Sequence, residues 1–93
     1  MNDIRKKRLG VILVMTMGKI TYCVITFPST MDALNAEQLA KEYGMPGRMI
    51  PLPTAISAGC GLCWATEPEH SEKWTEFIKK QSVEYERITE VTF

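Results

Sequence analysis

Four side chains of this 93-residue chain can act as soft nucleophiles, metal ligands or proton carriers: Cys23, Cys60, Cys63 and His70. Cys60 stands apart by its setting, Ile56-Ser57-Ala58-Gly59-Cys60-Gly61. Gly59 and Gly61 leave its sulfur uncrowded and let a partner backbone approach closely. The plain alternative is that a cysteine between glycines is a small residue in a tight turn. Cys60-Gly61-Leu62-Cys63 also has the spacing of a C-x-x-C pair. In thioredoxin-like proteins that motif opens a helix, whereas here it leads into a strand. Cys63 remains a candidate resolving thiol for an oxidised or persulfidated Cys60.

A structural zinc site needs about four converging ligands. His70 is expected to begin a helix at the edge of the fold away from Cys60. The four candidates therefore do not converge, and no Cys/His nucleophile pair forms. No metal, no cofactor and no complete catalytic constellation are expected, so the chain reads as a carrier or binding protein and not as an enzyme. Cys23 takes the default role of a buried small hydrophobe.

The elements that must position Cys60 follow from pattern and punctuation. Tyr22 to Phe27 is β-branched and aromatic and is stopped by Pro28, which makes a strand. Ser29 or Thr30 then caps a helix over Met31 to Tyr43, Ser29 and Asp32 having capping-box spacing. Gly44 and Pro46 end that helix. Gly47 to Pro53 carries two prolines and reads as an edge strand. Residues 54–60 form a loop of small residues, and Leu62 to Glu67 returns as a strand. Thr66 and Glu69 have capping-box spacing with Pro68 in the first turn, which predicts a second helix to about Ser82. Trp74, Phe77 and Ile78 share its apolar face, and Tyr85 to Phe93 makes the last strand.

The order β-α-β-β-α-β is solved most simply by an α+β, ferredoxin-like two-layer sandwich with an antiparallel four-stranded sheet. In that topology the end of the first strand, the start of the first helix and the loop entering the third strand share one sheet edge. Cys60 then lies by the cap Pro28-Ser29-Thr30, where free N–H groups and the positive helix end favour a thiolate or persulfide anion. Ser29, Thr30, Ser57, Gly59 and Gly61 are the expected anion- and partner-binding positions around it. Arg48 is a further anion-binding candidate, its commoner role being that of a solvated arginine at a strand start. Strand alternation sends Leu62 and Trp64 to one face and Cys63 and Ala65 to the other. The two small side chains suit the face on which a helix packs, which makes Cys63 core first and auxiliary thiol second. Leu62 and Trp64 would then lie on an uncovered sheet face through which a second copy could dimerise. Trp74 is expected in the core.

Eleven basic and eleven acidic residues cancel, so neither nucleic acid nor an anionic membrane is an expected partner. Three cysteines do not make a secreted disulfide framework, and the chain reads as cytoplasmic. Arg5-Lys6-Lys7-Arg8 followed by Leu9 to Met15 imitates a signal peptide. The apolar run is short, no small-x-small cleavage site follows, and a bilayer span needs ~18 residues. Residues 1–18 are read as an N-terminal extension, a loosely attached arm or a mis-called start with translation beginning at Met17. Residues 19–93 form the single domain.

Three runs carry a family resemblance: Tyr22 to Leu34 (Tyr-Cys-Val-Ile-Thr-Phe-Pro-Ser-Thr-Met-Asp-Ala-Leu), Pro46 to Pro53 (Pro-Gly-Arg-Met-Ile-Pro-Leu-Pro) and Ile56 to Leu62. They resemble a small bacterial family of selenium/sulfur carrier protein-like chains. The likeness spans about residues 19–90, with Ser57-Ala58-Gly59-Cys60-Gly61 its most specific piece. It implies a cytoplasmic protein that carries sulfur or selenium, as a persulfide or selenopersulfide, on the cysteine aligned with Cys60. A cysteine desulfurase-like protein would be the donor and another protein the acceptor. The family has a basic residue after the second proline of the P-x-P, where this chain has Thr54. Many members lack a thiol at the position of Cys63, which marks that residue as auxiliary. Two other readings stay open on the residues alone: a non-catalytic regulatory or dimerising ferredoxin-like module, and a Cys60/Cys63 thiol–disulfide switch.

Overall fold

The computed structural model describes residues 20–53, 56 and 60–93. The N-terminal extension, Thr54, Ser57 and Gly59 lie outside the described residues. Strand β1 (Thr21–Thr26) leads through Pro28 to helix α1 (Thr30–Tyr43). Strands β2 (Arg48–Pro51) and β3 (Leu62–Thr66) follow, then a 3-10 turn (Pro68–His70), helix α2 (Ser71–Gln81) and strand β4 (Arg87–Thr92). The four strands form one antiparallel sheet in the order β2-β3-β1-β4, an α+β fold. Proline-bearing β2 is at an edge, where the missing N–H costs no ladder bond. No helix among the described residues is long and apolar enough to cross a membrane.

Helix α1 is closed at both ends by its own residues. The Ser29 hydroxyl oxygen accepts from the Asp32 N–H at 3.1 Å and donates to Asp32 Oδ2 at 2.8 Å. Gly44, at φ +64°, ends the helix, and the Met45 N–H returns to the Ala40 carbonyl at 2.9 Å. Helix α2 starts differently from the expectation. Thr66 stays in the sheet opposite Cys23, so it caps nothing. Pro68 opens the 3-10 turn instead, closed by the His70 N–H on the Glu67 carbonyl at 2.9 Å, and α2 begins only at Ser71 without a side-chain cap.

The faces of β3 are the reverse of the expectation. Trp64 is 3% exposed beneath the helices, with Leu62 packed beside it, while Cys63 belongs to a cluster on the other face. The reason is volume. The buried residues of helix α1 are Ala33, Ala36 and Ala40, with Leu39 at the margin, so most of the space between the layers is filled by Ile25, Phe27 and Trp64 from below and Trp74, Phe77 and Ile78 from α2. The Trp64 and Trp74 rings lie 5.2 Å apart, and both indole N–H groups donate to the Pro46 carbonyl, at 2.9 and 3.0 Å. One carbonyl thus satisfies two buried donors. Trp64 and Leu62 therefore do not form an exposed association surface. On the other face, where no helix among the described residues packs, Val24, Cys63 and Ile56 are buried among Tyr22, Ile50, Leu52, Val91 and Phe93.

Candidate functional site

Pairing of β1 with β3 decides what Cys60 meets. The last register pair is Thr26 with Cys63, so the residues leaving β1 and those entering β3 lie side by side at one sheet edge. Pro28 and Ser29 then turn the chain into α1, which puts Thr30, the first helical residue, against the cysteine. The Cys60 thiol lies 4.0 Å from Thr30 Oγ1. The Leu62 N–H, just past the end of the β1 ladder, donates to Cys60 Sγ at 3.3 Å. The sulfur thus sits between a backbone N–H and a hydroxyl at a helix N-terminus, groups that stabilise negative charge on sulfur.

Cys60 is 3% exposed and packs with Ile25, Phe27 and Trp64 in the helix-side core. The expectation of an uncrowded sulfur is corrected by that packing. Gly61, by contrast, is exposed, and a Cβ built on it would meet nothing within 4 Å. The chain is open on the Gly61 side of the sulfur. Ser29 and Thr30 are both exposed at the same edge.

Arg48 is not brought to this site. It stands opposite Ala65, while Pro51 at the other end of β2 faces Leu62, and three ladder steps make about 10 Å. His70 follows β3 in the 3-10 turn at that same far end, 3.6 Å from Glu67 and 3.9 Å from Glu69. Among the described residues the metal-capable side chains that converge are these three, without a cysteine.

The other thiols differ in character. All three cysteines are free. Burial, reinforced by the charge of Cys60, pushes the Cys63 thiol up from 9.0 to about 11. Burial and, next, Glu90 on the neighbouring strand raise Cys23. Both are held as neutral thiols, poor nucleophiles near neutral pH. Cys60 and Cys63 belong to clusters on opposite faces of the sheet. A disulfide between them therefore needs β3 to rotate out of register.

Two features of the site were missed from sequence: the near-complete burial of Cys60 and the Leu62 N–H on its sulfur. The second had a signal. Phe27-Pro28 ends β1 opposite Leu62, which leaves that amide without a ladder partner.

A family profile described as "Putative Se/S carrier protein-like" matches residues 22–90, most of the chain. No curated protein and no solved structure gives a significant match. The chain belongs to this Se/S carrier protein-like family.

Proposed function

From that membership and the setting of Cys60, we propose that the chain carries zero-valent sulfur or selenium on Cys60, in a ferredoxin-like βαββαβ frame and in the cytoplasm. The supporting observation is the sulfur itself, held between the Leu62 N–H and Thr30 at the start of α1. In loading, the Cys60 thiolate attacks the terminal sulfur of a persulfide on a cysteine desulfurase-like donor. One S–S bond forms, another breaks, the donor leaves as its thiolate, and no net oxidation occurs. Attack by an acceptor thiolate reverses the sequence and unloads the cargo. Both steps are transfers between proteins and require no metal or cofactor from this chain. The helix end stabilises Cys60 as attacking group and again as leaving group. Burial shields the loaded sulfur from stray thiols.

The test is mass spectrometry after incubation with a cysteine desulfurase and cysteine. Wild type is expected to gain the mass of one sulfur atom, Cys63→Ala to gain it equally, and Cys60→Ser to gain none. An adduct that persists in Cys60→Ser, or no adduct on wild type, overturns the proposal. The 3% exposure of Cys60 favours a second reading, a regulatory module in which this cysteine only fills core. That reading predicts no adduct and a Cys60→Ala variant whose only defect is stability.

A further inference from the structure

Between Pro53 and Gly61 the described residues are Ile56 and Cys60, four positions apart. They belong to clusters on opposite faces of the sheet. Ile56 is 8% exposed and packs with Val24 and Cys63, both fully buried. Val24 and Cys63 come from β1 and β3, the two central strands, so Ile56 is seated on the paired centre of the sheet. Cys60 packs with Ile25, Phe27 and Trp64 beneath the helices. The two side chains grip the Leu62 end of β3 from both sides. At the base of the same connection the Leu52 N–H donates to the Gly61 carbonyl at 3.0 Å.

In the run Thr54-Ala55-Ile56-Ser57-Ala58-Gly59, Ile56 is the single large apolar side chain, and so the run's main source of hydrophobic burial. Its own N–H is held as well, on the Pro53 carbonyl at 3.0 Å. Four residues of chain reach about 14 Å at most. A Cys60 that moves out of its layer therefore pulls on Ile56, and an Ile56 that leaves its seat frees Cys60. On the reading that Cys60 carries cargo, a thiol buried in this way has to emerge before a partner sulfur can reach it. We infer that Ile56 is the positioning residue of Cys60, its hold on Val24 and Cys63 setting how often the thiol leaves the helix-side layer. Such openings are local, with free energies below that of global unfolding. Thr30 and the Leu62 N–H act on the charge of the sulfur, and Ile56 acts on its accessibility.

Alkylation of the full chain with iodoacetamide, resolved by site with mass spectrometry, tests this without any cargo. Cys23, 1% exposed and paired with Thr66 away from the connection, is the internal reporter of global unfolding. In Ile56→Ala the rate at Cys60 relative to Cys23 should rise at least about tenfold (~1.4 kcal/mol). Ile56→Val, which keeps most of the side chain, should restore most of the wild-type ratio. Val91→Ala trims the same cluster from β4, which has no short chain link to Cys60, and should leave the ratio no higher than in wild type. A merely structural Ile56 would raise both cysteines together. An unchanged ratio in Ile56→Ala overturns the inference, and so does an equal rise in Val91→Ala. Sulfur loading by a desulfurase succeeds or fails independently of this result, because alkylation needs no persulfide donor.

Discussion

Gly47 is the position where one added methyl group should do most harm, and the reason can be worked in numbers. Its φ is +106°, a backbone conformation that residues with a Cβ rarely adopt. A Cβ placed there would lie 2.5 Å from the Ala65 carbonyl oxygen and 2.8 Å from Thr66 Cβ, and would strike the Trp64 indole nitrogen. All three neighbours belong to β3, to which β2 is paired, and one of them is the ring anchored on Pro46. Relief therefore requires β2 to move off β3, not the swing of one flexible side chain. Backbone strain at such a site costs about 1–3 kcal/mol, and overpacking that shifts backbone about 1–3 kcal/mol more. Gly47→Ala should lose about 2–6 kcal/mol, a large share of the ~5–15 kcal/mol of a typical domain.

Two other glycines supply the controls. Gly44 has φ +64° but nothing within 4 Å of a built Cβ, so Gly44→Ala carries only the left-handed penalty of about 1–2 kcal/mol. Gly61 has open space, and Gly61→Ala should stay within about 0.5 kcal/mol. Urea unfolding followed by tryptophan fluorescence measures all three, since Trp64 and Trp74 are both buried. The reasoning fails if Gly47→Ala loses no more than Gly44→Ala.

Two further outcomes follow from the caps and the thiols. Ser29→Ala removes the acceptor for the Asp32 N–H and should cost about 1 kcal/mol, read as a lowered urea midpoint; an unchanged midpoint would refute the cap. Cys63 gives an alkaline signature whose sign is fixed by its raised value. Below pH 9 the thiol is protonated folded or unfolded, so it contributes no pH dependence. Between 9.0 and about 11 the unfolded chain gives up the proton while the folded chain keeps it, so stability falls by about 1.4 kcal/mol per pH unit and about 2.7 kcal/mol in all. Cys63→Ala should lose that part of the slope, and an unchanged slope in pH-dependent urea unfolding refutes the assignment.

The position of Cys60 was legible because it depends on local rules. A proline stop after β1, a serine cap, and antiparallel pairing of β1 with β3 are enough to bring the residue two before Leu62 to the residue that starts α1. Arg48 obeys the same rules, and reading its register against Ala65 removes it from the Cys60 edge. What the residues of β3 alone do not reveal is which of its faces meets the helices. Small side chains at Cys63 and Ala65 suit a close helix, but so does a helix whose own contact residues are small. Close packing needs a large residue on one side of the contact, and α1 has spent its stripe on Ala33, Ala36 and Ala40. The bulk must then come from the sheet, which turns Trp64 inward and Cys63 outward. Burial of Cys60 follows from the same choice. Once Trp64 and Phe27 fill the helix side, a cysteine at the mouth of that layer is sealed by its neighbours, whatever freedom Gly61 gives the backbone beside it. Reading the alanines of α1 together with the tryptophan of β3 would have given the orientation, because packing volume is a property of the pair of layers.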